Sequence, residues 1–335
     1  MKNVLVTGGG GFLGRAVVKQ LVQKKIRVTS FARQRYQALE QMGVDQIQGD
    51  LADAQAVMAA VKGMDTVFHV AAKPGLWGSY DSYHRVNVIG TRHVIDACRT
   101  RGVEKLIYTS SPSAVFNDSH MEGVDESVPY PDSYLAPYPK TKAMAEKLVR
   151  QAAGQGFSAI ILRPHLIWGP EDNHLVPGII KRAKRLKIIG PTDDLVDTVY
   201  VDNAAWAHIL AAQKLEQHPE LSGRIYFISQ DDPVSKWQMA NAFLKAAGLP
   251  PVKGHVSAGA AYAAGYFFET VYRALRIQKE PPMTRFAARE LATSHWFDIS
   301  RAKKDLGYYP KVSTREGLQR LEQYLSQKNQ THLKN

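Results

Sequence analysis

The sequence predicts an α/β protein that is built around a doubly wound parallel β-sheet and carries a smaller mixed part toward its C-terminus. In the first half of the chain, short runs rich in β-branched residues alternate with stretches of helical periodicity. Strands that alternate with helices of this length form βαβ units, in which neighbouring strands run parallel. The first run also leads directly into a glycine-rich turn, Thr7–Gly14, as expected between the first strand and first helix of such a sheet.

The elements of the predicted sheet can be placed in order along the chain. Strands are predicted at Asn3–Thr7, Arg27–Ala32, Gln46–Gln48, Thr66–Val70, Lys105–Thr109 and Ala159–Arg163. Helical patterns lie between them at Leu13–Lys24, Ala54–Val61, Tyr83–Arg101 and Thr141–Gln155. After Pro164, prolines interrupt this rhythm, and isolated strands are predicted near Val199–Val201 and Arg224–Ile228. Because ligands bind beyond the carboxyl ends of the strands in such a sheet, the residues that follow each strand are the first candidates for a functional site.

Composition restricts the class of protein. Of the 335 residues, 44% are apolar and 22% are charged, as in soluble globular proteins. The single cysteine, Cys98, excludes an intramolecular disulfide and is typical of a reducing compartment. The N-terminal apolar stretch is too short for a secretory signal, so we expect a cytoplasmic protein. The 11 histidines show no metal-ligand spacing, and no metal site is expected.

The net charge of +12 is compatible with several kinds of partner. A basic protein attracts nucleic acid, an anionic membrane or acidic small molecules. The densest basic cluster, Lys181–Lys187, is accompanied by no interleaved aromatics and no DNA-binding motif. A solvated helix face is therefore the favoured interpretation of this cluster, and no nucleic-acid partner is expected.

The glycine-rich turn predicts a dinucleotide site. Gly8, Gly11 and Gly14 form a G-x-x-G-x-x-G series, and Phe12 and Leu13 open the helix that follows. Glycines at this spacing allow a tight turn, close approach of backbone N–H groups to a pyrophosphate and close packing of helix on strand. The positive end of the helix dipole favours the same phosphates. The pattern is typical of a Rossmann-type NAD(P)-binding fold.

The end of the second predicted strand determines which cofactor is expected. An acidic residue at this point would bind the ribose 2′-hydroxyl of NAD, whereas an arginine accommodates the 2′-phosphate of NADP. The segment from residue 28 to residue 35 has no Asp or Glu and contains Arg33, with Arg35 as a second choice. Both arginines could also be merely exposed loop charges. NADP(H) is favoured over NAD(H).

Further cofactor contacts are predicted after the third and fourth strands. Asp50, followed by Leu51, is placed to accept a hydrogen bond from the adenine amino group, although it could equally cap the next helix. After the fourth strand, the small residues Ala71 and Ala72 would let the cofactor lie against the backbone. Lys73, which comes next, could lie beside the cofactor or meet a substrate carboxylate.

A tyrosine and a lysine have the spacing of a proton-transfer pair. Tyr138 and Lys142 form a Y-x-x-x-K motif, which on a helix puts both side chains on one face. A phenol has an ordinary pKa near 10, so a nearby cation is expected to lower the pKa of Tyr138. Ser110, Ser111 and Ser113 follow the fifth strand, and one of these hydroxyls is expected to bind a substrate carbonyl oxygen.

The order of these segments carries a resemblance to a known family. TGGGGFLG, GDL, HVAAK, NVIGT, YTSS, YPKTK, LRP and YVDNA follow one another along nearly the whole chain. They resemble the extended short-chain dehydrogenase/reductases, and more narrowly the 3β-hydroxysteroid dehydrogenase-like branch. The resemblance implies that Ser111 is the catalytic serine, Tyr138 the proton donor, and Lys142 its partner. It also implies that Asn87 supports the site and that Pro164 borders the cofactor.

The substrate side of the sequence resembles a narrower group. HVAAKPGLWGSY, TSSPSAVF and LRPHLIWGP are similar to segments of the bacterial reductases that act on 2-alkyl-3-oxoalkanoates in long-chain olefin biosynthesis. The resemblance implies NADPH-dependent reduction of a long-chain β-keto acid to the β-hydroxy acid. Candidate substrate contacts on the loops that leave the strands are Trp77, Tyr80, Ser113, His165, Trp168 and His174. A lone histidine or tryptophan on such a loop is more often structural than functional.

Three other functions remain open at this stage. A sterol or 3β-hydroxysteroid dehydrogenase would use the same catalytic residues, although Arg33 argues against the NAD expected for oxidation. A nucleotide-sugar epimerase or dehydratase would share the fold, but the apolar C-terminal third suits a hydrophobic substrate better. A non-catalytic NADP-binding sensor or scaffold would not need Ser111, Tyr138 and Lys142 together.

The chain is expected to divide into two parts. Residues 1–165, joined by segments near 199–230, would form the NAD(P)-binding part, and 166–198 and 231–330 the substrate-binding part. The apolar run Ala258–Phe268 continues to Leu275 but is too interrupted for a membrane span, which needs about 20 apolar residues. We favour a lid over a pocket for a small hydrophobic ketone or alcohol; peripheral membrane or partner-enzyme contact through 258–275 is the alternative. The resemblance implies a homodimer.

Overall fold

The computed structural model describes residues 1–154 and 156–332. Its strands are β1 (Asn3–Thr7), β2 (Arg27–Ala32), β3 (Asp45–Gln48), β4 (Thr66–His69), β5 (Lys105–Thr109), β6 (Met121–Val124), β7 (Ser158–Pro164), β8 (Ile167–Trp168), β9 (Ile188–Ile189), β10 (Leu195–Val196), β11 (Val199–Tyr200), β12 (Ile225–Ile228), β13 (Val234–Ser235), β14 (His255–Val256) and β15 (His295–Phe297). Its helices are α1 (Phe12–Gln23), α2 (Gln37–Gln41), α3 (Ala54–Ala60), α4 (Tyr80–Tyr83), α5 (Gly90–Arg101), α6 (Pro137–Ala152), α7 (Leu175–Arg182), α8 (Val201–Gln217), α9 (Lys236–Ala246), α10 (Ala258–Ala274), α11 (Arg285–Leu291) and α12 (Thr314–His332). Short 3₁₀ turns lie at Pro112–Val115 and Pro219–Leu221, and π-helical turns at His84–Ile89 and Ala302–Leu306.

Seven parallel strands form the central sheet, in the order β12-β7-β5-β4-β1-β2-β3. The order reverses between β1 and β4, because β2 and β3 extend to one side of β1 and the later strands extend to the other. Such a reversal opens a crevice beyond the carboxyl ends of the strands, where doubly wound proteins bind their ligands. The predicted fold class, a Rossmann-type doubly wound sheet with a smaller mixed part, is confirmed.

Helices cover both faces of the sheet because its strands are apolar on both sides. Val4 and Val6 of β1 pack in one cluster with α1 and α8, while Leu5 between them packs in a second cluster with α3, α5 and α6. Side chains alternate between the faces of a strand, so a strand that is buried on both faces reads as a continuous apolar run. Because the strands run parallel, their carboxyl ends all lie at one edge of this buried sheet.

A smaller mixed sheet lies beside the central one, with strand order β13-β10-β15-β6. Its strands come from distant parts of the chain: β15 pairs in parallel with β6, and β10 pairs antiparallel with β13. Strand β6 belongs to this sheet, although the sequence-based division placed its residues with the NAD(P)-binding part. Conversely, the buried Tyr308 donates a hydrogen bond of 2.9 Å to the carbonyl of Ser229, just after β12 of the central sheet. The NAD(P)-binding part and the substrate-binding part that were predicted from the sequence therefore share a sheet and contact each other.

Two predicted helices begin earlier than the pattern indicated. The helix predicted at Tyr83–Arg101 is α4, a π-helical turn and α5, and begins at Tyr80. The helix predicted at Thr141–Gln155 begins at Pro137, because proline has the φ angle of a first helical residue and needs no N–H partner there. Gln155 lies outside the described residues.

Candidate active site

The turn after β1 forms a cradle that has no room for side chains. Gly8 has a φ of +70°, and a Cβ atom there would lie 3.0 Å from the Cα of Ala71. A Cβ on Gly14 would lie 2.1 Å from the carbonyl oxygen of Gly8, so helix α1 packs directly on the turn. Gly11 donates its N–H to that same carbonyl at 2.9 Å. The N-terminus of α1, at Phe12 and the buried Leu13, faces this bare backbone, which fits a dinucleotide pyrophosphate.

Sequence reasoning missed two side chains that shape the cradle. A Cβ on Gly10 would lie 2.1 Å from the ring of Tyr36, and a Cβ on Gly9 would lie 2.6 Å from the hydroxyl of Ser30. The Tyr36 ring therefore covers the tip of the turn. The backbone N–H of Tyr36 is held by the side chain of Gln46, on the neighbouring strand β3, at 2.8 Å. The consecutive glycines Gly9 and Gly10 were the signal in the sequence, since a glycine in a turn often marks a position where another side chain comes close to the backbone.

Arg33 and Arg35 lie in the loop after β2 and are exposed. The carbonyl of Arg33 accepts a hydrogen bond from the side chain of Gln48 at 2.9 Å, so β3 fixes the backbone of this loop. Within the described part of the chain, neither arginine forms an ion pair. Both guanidinium groups thus remain available for a phosphate at the ribose end of the crevice.

Asp50 does not cap the helix that follows it. The cap of α3 is Asp53, which accepts the N–H groups of Gln55 and Ala56. One carboxylate oxygen of Asp50 accepts the N–H of Ala52 at 3.0 Å, and the other lies 3.0 Å from the guanidinium of Arg85. The adjacent Leu51 is buried and packs on Gly90, where a Cβ would lie 2.8 Å from that of Leu51.

Asn87 joins the loop after β4 to helix α6, which carries Tyr138 and Lys142. Its side chain accepts the N–H of Lys73 at 2.7 Å and donates to the carbonyl of the same residue at 3.2 Å. It also donates to the hydroxyl of Thr141 at 3.1 Å, and that hydroxyl donates to the carbonyl of Tyr138. The segment Ala71–Lys73 thereby acquires a fixed distance from Tyr138. The supporting role of Asn87 that the resemblance implied stays a prediction, and these hydrogen bonds are compatible with it.

Tyr138 and Ser111 meet at this edge of the sheet. Tyr138 is the second residue of α6, and the hydroxyl of Ser111 hydrogen-bonds its phenol oxygen, which lowers the pKa of Tyr138. Burial has the larger effect, so the pKa of Tyr138 is raised above its ordinary value. The Ser113 hydroxyl lies 2.9 Å from that of Ser111 and holds it in place. The expectation of a lowered tyrosine pKa is wrong for this arrangement, and the phenol is protonated at neutral pH.

Lys142 lies one helical turn after Tyr138 and is buried. Its ammonium donates to the carbonyl of Thr109 at 2.6 Å and to the hydroxyl of Tyr108 at 3.0 Å, and it lies 4.5 Å above the ring of Tyr108. Burial lowers the pKa of Lys142 to about 7, against the opposite effect of Glu146. The lysine can therefore both hold and release a proton near neutral pH. Sequence reasoning missed Tyr108, which lies inside an apolar strand.

A buried chain of hydrogen bonds runs beneath this pair. The His69 ring lies 3.0 Å from the hydroxyl of Thr91 and, through its other nitrogen, 2.8 Å from the hydroxyl of Thr7. The Thr7 hydroxyl accepts the N–H of Ala71 at 3.2 Å. Burial, with the charge of Lys142, lowers the pKa of His69 to about 3, so the ring is neutral. These hydrogen bonds connect Thr7, at the start of the glycine turn, through His69 to Thr91.

Helix α6 is anchored by a buried ion pair that sequence reasoning also missed. Glu146 lies one turn after Lys142 and accepts hydrogen bonds from Arg163 of β7, one of them at 3.0 Å. The hydroxyl of Tyr130 donates to the same carboxylate at 2.6 Å. Burial alone would raise the pKa of Glu146, but Arg163 and these hydrogen bonds lower it overall. Pro164 follows Arg163 at the end of β7, at the same edge of the sheet.

One aromatic ring contacts Tyr138, and one carboxyl group acts on its pKa. The ring of Tyr83 meets that of Tyr138 edge to face, with centroids 6.5 Å apart, and its hydroxyl donates to the carbonyl of Trp77 at 3.0 Å. Glu290 of α11 was not predicted from the sequence. Its charge raises the pKa of Tyr138, and burial raises its own pKa to about 7.

Other predicted substrate residues do not converge on Tyr138. Trp168 is fully buried among Tyr200 and Phe243 and donates its N–H to Thr198, so its prediction as a substrate contact is wrong. A tryptophan that follows a strand was read as a loop residue, but here it forms a short strand of the core. Tyr80 is exposed and its ring stacks beside His84, and His174 is exposed at the start of α7. His165 is buried 5.2 Å from the ring of Phe297, and burial lowers its pKa to about 3.

The chain is similar to known proteins over most of its length. The sequence profile of the 3-beta hydroxysteroid dehydrogenase/isomerase family matches residues 5–256. The 2-alkyl-3-oxoalkanoate reductase of Shewanella oneidensis is 48% identical over 331 residues, which cover 96% of this chain and 86% of the relative. The mouse (Mus musculus) sterol-4-alpha-carboxylate 3-dehydrogenase, decarboxylating, is 34% identical, with 95% of this chain and 90% of the relative covered. The crystal structure of gox2253 superposes with a TM-score of 0.79 at 26% identity, covering 98% of this chain and 99% of that one.

Proposed function

Because the chain belongs to the 3-beta hydroxysteroid dehydrogenase/isomerase family and is an NAD(P)-dependent oxidoreductase, we propose that it reduces a long-chain 2-alkyl-3-oxoalkanoate with NADPH. The product is the 2-alkyl-3-hydroxyalkanoate, a secondary alcohol. The single observation that carries this proposal is the 48% identity, over 96% of this chain, to a 2-alkyl-3-oxoalkanoate reductase. Tyr138 is protonated at neutral pH because its pKa is raised, so it can give a proton to a ketone oxygen in this direction.

The residues of the crevice fit a dinucleotide. The bare turn of Gly8, Gly11 and Gly14 would receive the pyrophosphate, and Arg33 would meet a 2′-phosphate. Arg33 supports NADPH over NADH because it is an exposed guanidinium without an ion pair among the described residues. When bound, the reduced nicotinamide supplies a hydride to the carbonyl carbon.

The side chains around Tyr138 perform the acid–base part of the reaction. Ser111 and Tyr138 hold the ketone oxygen, and the phenol gives its proton to that oxygen as negative charge develops on it. The phenolate that remains is then reprotonated from the side of Lys142, whose pKa of about 7 suits proton release at neutral pH. The Lys142 ammonium also stabilises the transient phenolate.

The surroundings of Lys73 support the proposal of an acidic substrate. Its ammonium donates to the hydroxyl of Ser82 at 2.7 Å and lies 4.8 Å above the ring of Tyr83, which in turn meets Tyr138. Within the described residues it has no carboxylate partner, so a substrate carboxylate can pair with it. Burial raises the pKa of Glu290 to about 7, so this carboxyl group is protonated for much of the time at neutral pH. It therefore repels a substrate carboxylate less than a permanently charged carboxylate would.

A 3β-hydroxysteroid or sterol dehydrogenase is the second candidate, because the sterol-4-alpha-carboxylate 3-dehydrogenase is 34% identical over nearly the whole chain. That relative and the reductase differ in the direction of reaction and in substrate shape, while the catalytic residues serve both. The higher identity to the reductase, 48% against 34%, favours the first proposal.

Consumption of NADPH and NADH with a 2-alkyl-3-oxo acid and with a 3-ketosteroid, measured side by side, tests the proposal. Oxidation of NADPH by the keto acid alone is the expected result. Turnover of the steroid, above all with NADH, would replace the proposal with the sterol dehydrogenase. Cofactor binding without turnover of any ketone or alcohol would indicate a non-catalytic sensor.

A further inference from the structure

The outer face of α10 exposes two large aromatic side chains that are neighbours in the sequence. Tyr266 is 59% exposed and Phe267 61%, and Leu275, directly after the helix, is 66% exposed. Among the large apolar side chains of the described residues, only Tyr309 is exposed to a similar degree, at 62%. Exposed Ala263, Thr270 and Ala274 lie on the same face of the helix. Apolar side chains clustered at the surface mark a binding face and not a solvated helix.

Basic side chains border this face. Arg273, Arg276 and Lys279 are exposed at the C-terminal end of α10 and in the loop that follows. Glu280 of that loop forms an ion pair of 3.0 Å with Arg182, which brings the basic cluster 181–187 beside it. The exposed members of this cluster are Lys181, Arg182, Lys184, Arg185 and Lys187. Apart from Arg182 and Arg273, these residues form no ion pair within the described part of the chain.

We propose that the α10 surface, which comprises Tyr266, Phe267, Leu275 and the bordering basic residues, docks on an anionic lipid bilayer. Aromatic and aliphatic side chains enter the interfacial region, while lysine and arginine side chains pair with lipid phosphates. The helix lies on the membrane and does not enter its core, because none of the described helices is long and apolar enough to cross a bilayer.

The α10 surface is connected to the catalytic tyrosine. The indole N–H of Trp77 donates to the carbonyl of Ile277 at 3.1 Å, and the Trp77 ring packs on Tyr272 of α10. The carbonyl of Trp77 accepts the hydroxyl of Tyr83, whose ring meets Tyr138. The loop between β4 and α4 therefore links the membrane face to the site. An apolar substrate of the proposed kind would enter from the bilayer by this side; the docking itself does not depend on that substrate.

The charge of the surface favours a bilayer over a second copy of the chain. Two copies that met face to face through α10 would bring two basic borders together, and like charges oppose such an interface. An anionic bilayer is complementary to the whole surface. Its acyl chains can contact the aromatic side chains, and its lipid phosphates can pair with the basic residues around them.

Flotation of the full chain with phosphatidylcholine vesicles, with and without phosphatidylglycerol, tests the docking. We expect flotation only with phosphatidylglycerol, and release by high salt. Phe267→Ser with Leu275→Ser, and separately Lys184→Gln with Arg185→Gln and Lys187→Gln, should each lower the partition coefficient by about tenfold or more. These side chains are exposed or lie at the surface, so thermal unfolding should be unchanged, and this serves as the folding check.

A matched control is available at the opposite edge of the sheet. Lys2, Lys62 and Arg101 are exposed and precede β1, β4 and β5, so they lie away from the site edge. Replacing these three residues with Gln removes the same charge and should leave flotation unchanged. Equal loss in the control would show a non-specific charge effect and overturn the proposal. Failure to float with either vesicle would also overturn it, as would a dimer that the Phe267→Ser and Leu275→Ser pair dissociates.

Discussion

The ammonium nitrogen of Lys142 lies 3.0 Å from the hydroxyl oxygen of Tyr108, a residue of the central sheet and not of the catalytic helix. Together with the carbonyl of Thr109, this hydroxyl fixes a buried cation whose pKa has fallen to about 7. The sheet thus determines where the lysine charge stands relative to Tyr138.

Tyr108→Phe should therefore lower kcat with little change in KM. A hydrogen bond to a charged group is worth about 1.5–3 kcal/mol, which corresponds to about a ten- to hundredfold loss of rate if the bond is needed in the transition state. The kcat and KM split and the pH profile of the variant check this prediction. Loss of a hydrogen bond to the ammonium should lower the pKa of Lys142 and move the alkaline limb to lower pH, which a merely structural role would not do. Tyr226→Phe, which removes the hydroxyl that bonds Asp305, is the matched control and should keep the wild-type profile.

Tyr138→Phe should abolish most of the turnover and spare cofactor binding. Loss of a general acid lowers the rate by about 10²–10⁴-fold, whereas the cradle of glycines is untouched. Steady-state kinetics and quenching of protein fluorescence by NADPH measure the two effects separately. Turnover at the wild-type rate would remove Tyr138 from the mechanism.

Arg33→Ala should raise the KM for NADPH by about tenfold or more, because it removes a charge-assisted hydrogen bond to the 2′-phosphate. The KM for NADH should stay the same, and Arg35→Ala serves as the control. Initial rates with each cofactor make the measurement. An equal effect on both cofactors would assign Arg33 a role in the loop and not in cofactor choice.

Glu290→Gln should change both the stability of the protein and the pH dependence of kcat/KM. Burial raises the pKa of Glu290 to about 7, so its contribution to stability is present below the ordinary glutamate pKa and is lost as the pH rises through 7. The variant should unfold a few degrees above the wild type at pH 8 and close to it at pH 5, as thermal scans would record. The Glu290 charge also raises the pKa of Tyr138, so the alkaline limb of kcat/KM should move to lower pH. Identical limbs in both proteins would refute the link to Tyr138.

Glu146→Leu should destabilise the protein strongly because it leaves Arg163 buried without its partner. Breaking a buried pair in this way costs about 3–5 kcal/mol. The pKa of Glu146 is lowered, so the stability it confers is present above its ordinary pKa and is lost as the pH falls. The double change Glu146→Leu with Arg163→Met should restore part of the loss in urea unfolding. No recovery in the double variant would mean that the packing, and not the unpaired charge, sets the cost.

Local pattern was sufficient for the central sheet and for one edge of the site. Strands such as β1 and β5 were placed to the residue, because a strand buried on both faces is a continuous apolar run between glycine turns and helices. The parallel arrangement then brings the glycine turn, Ser111 and Tyr138 to the same edge.

Residues that depend on long-range pairing were not predicted from the sequence. Glu290 reaches Tyr138 only because α11 and the strand after it fold back beside β6. Tyr108 reads as an ordinary strand residue, and its contact with Lys142 depends on how α6 packs on the sheet. Trp168 was misassigned for the opposite reason, because a segment that looked like a loop is held in the core by β11.

The pairing of β6 with β15 also has a consequence for how the chain matures on the ribosome. Ser294 donates to the ring of His120 across 174 residues of sequence, so β6 leaves the exit tunnel long before its partner strand has been translated. The glycine turn and the first strands can condense early, since domains begin to fold from the N-terminus during synthesis. The second sheet, however, is complete only near the end of translation, and a nascent chain that stalls before residue 295 lacks the strand that pairs with both β6 and β10.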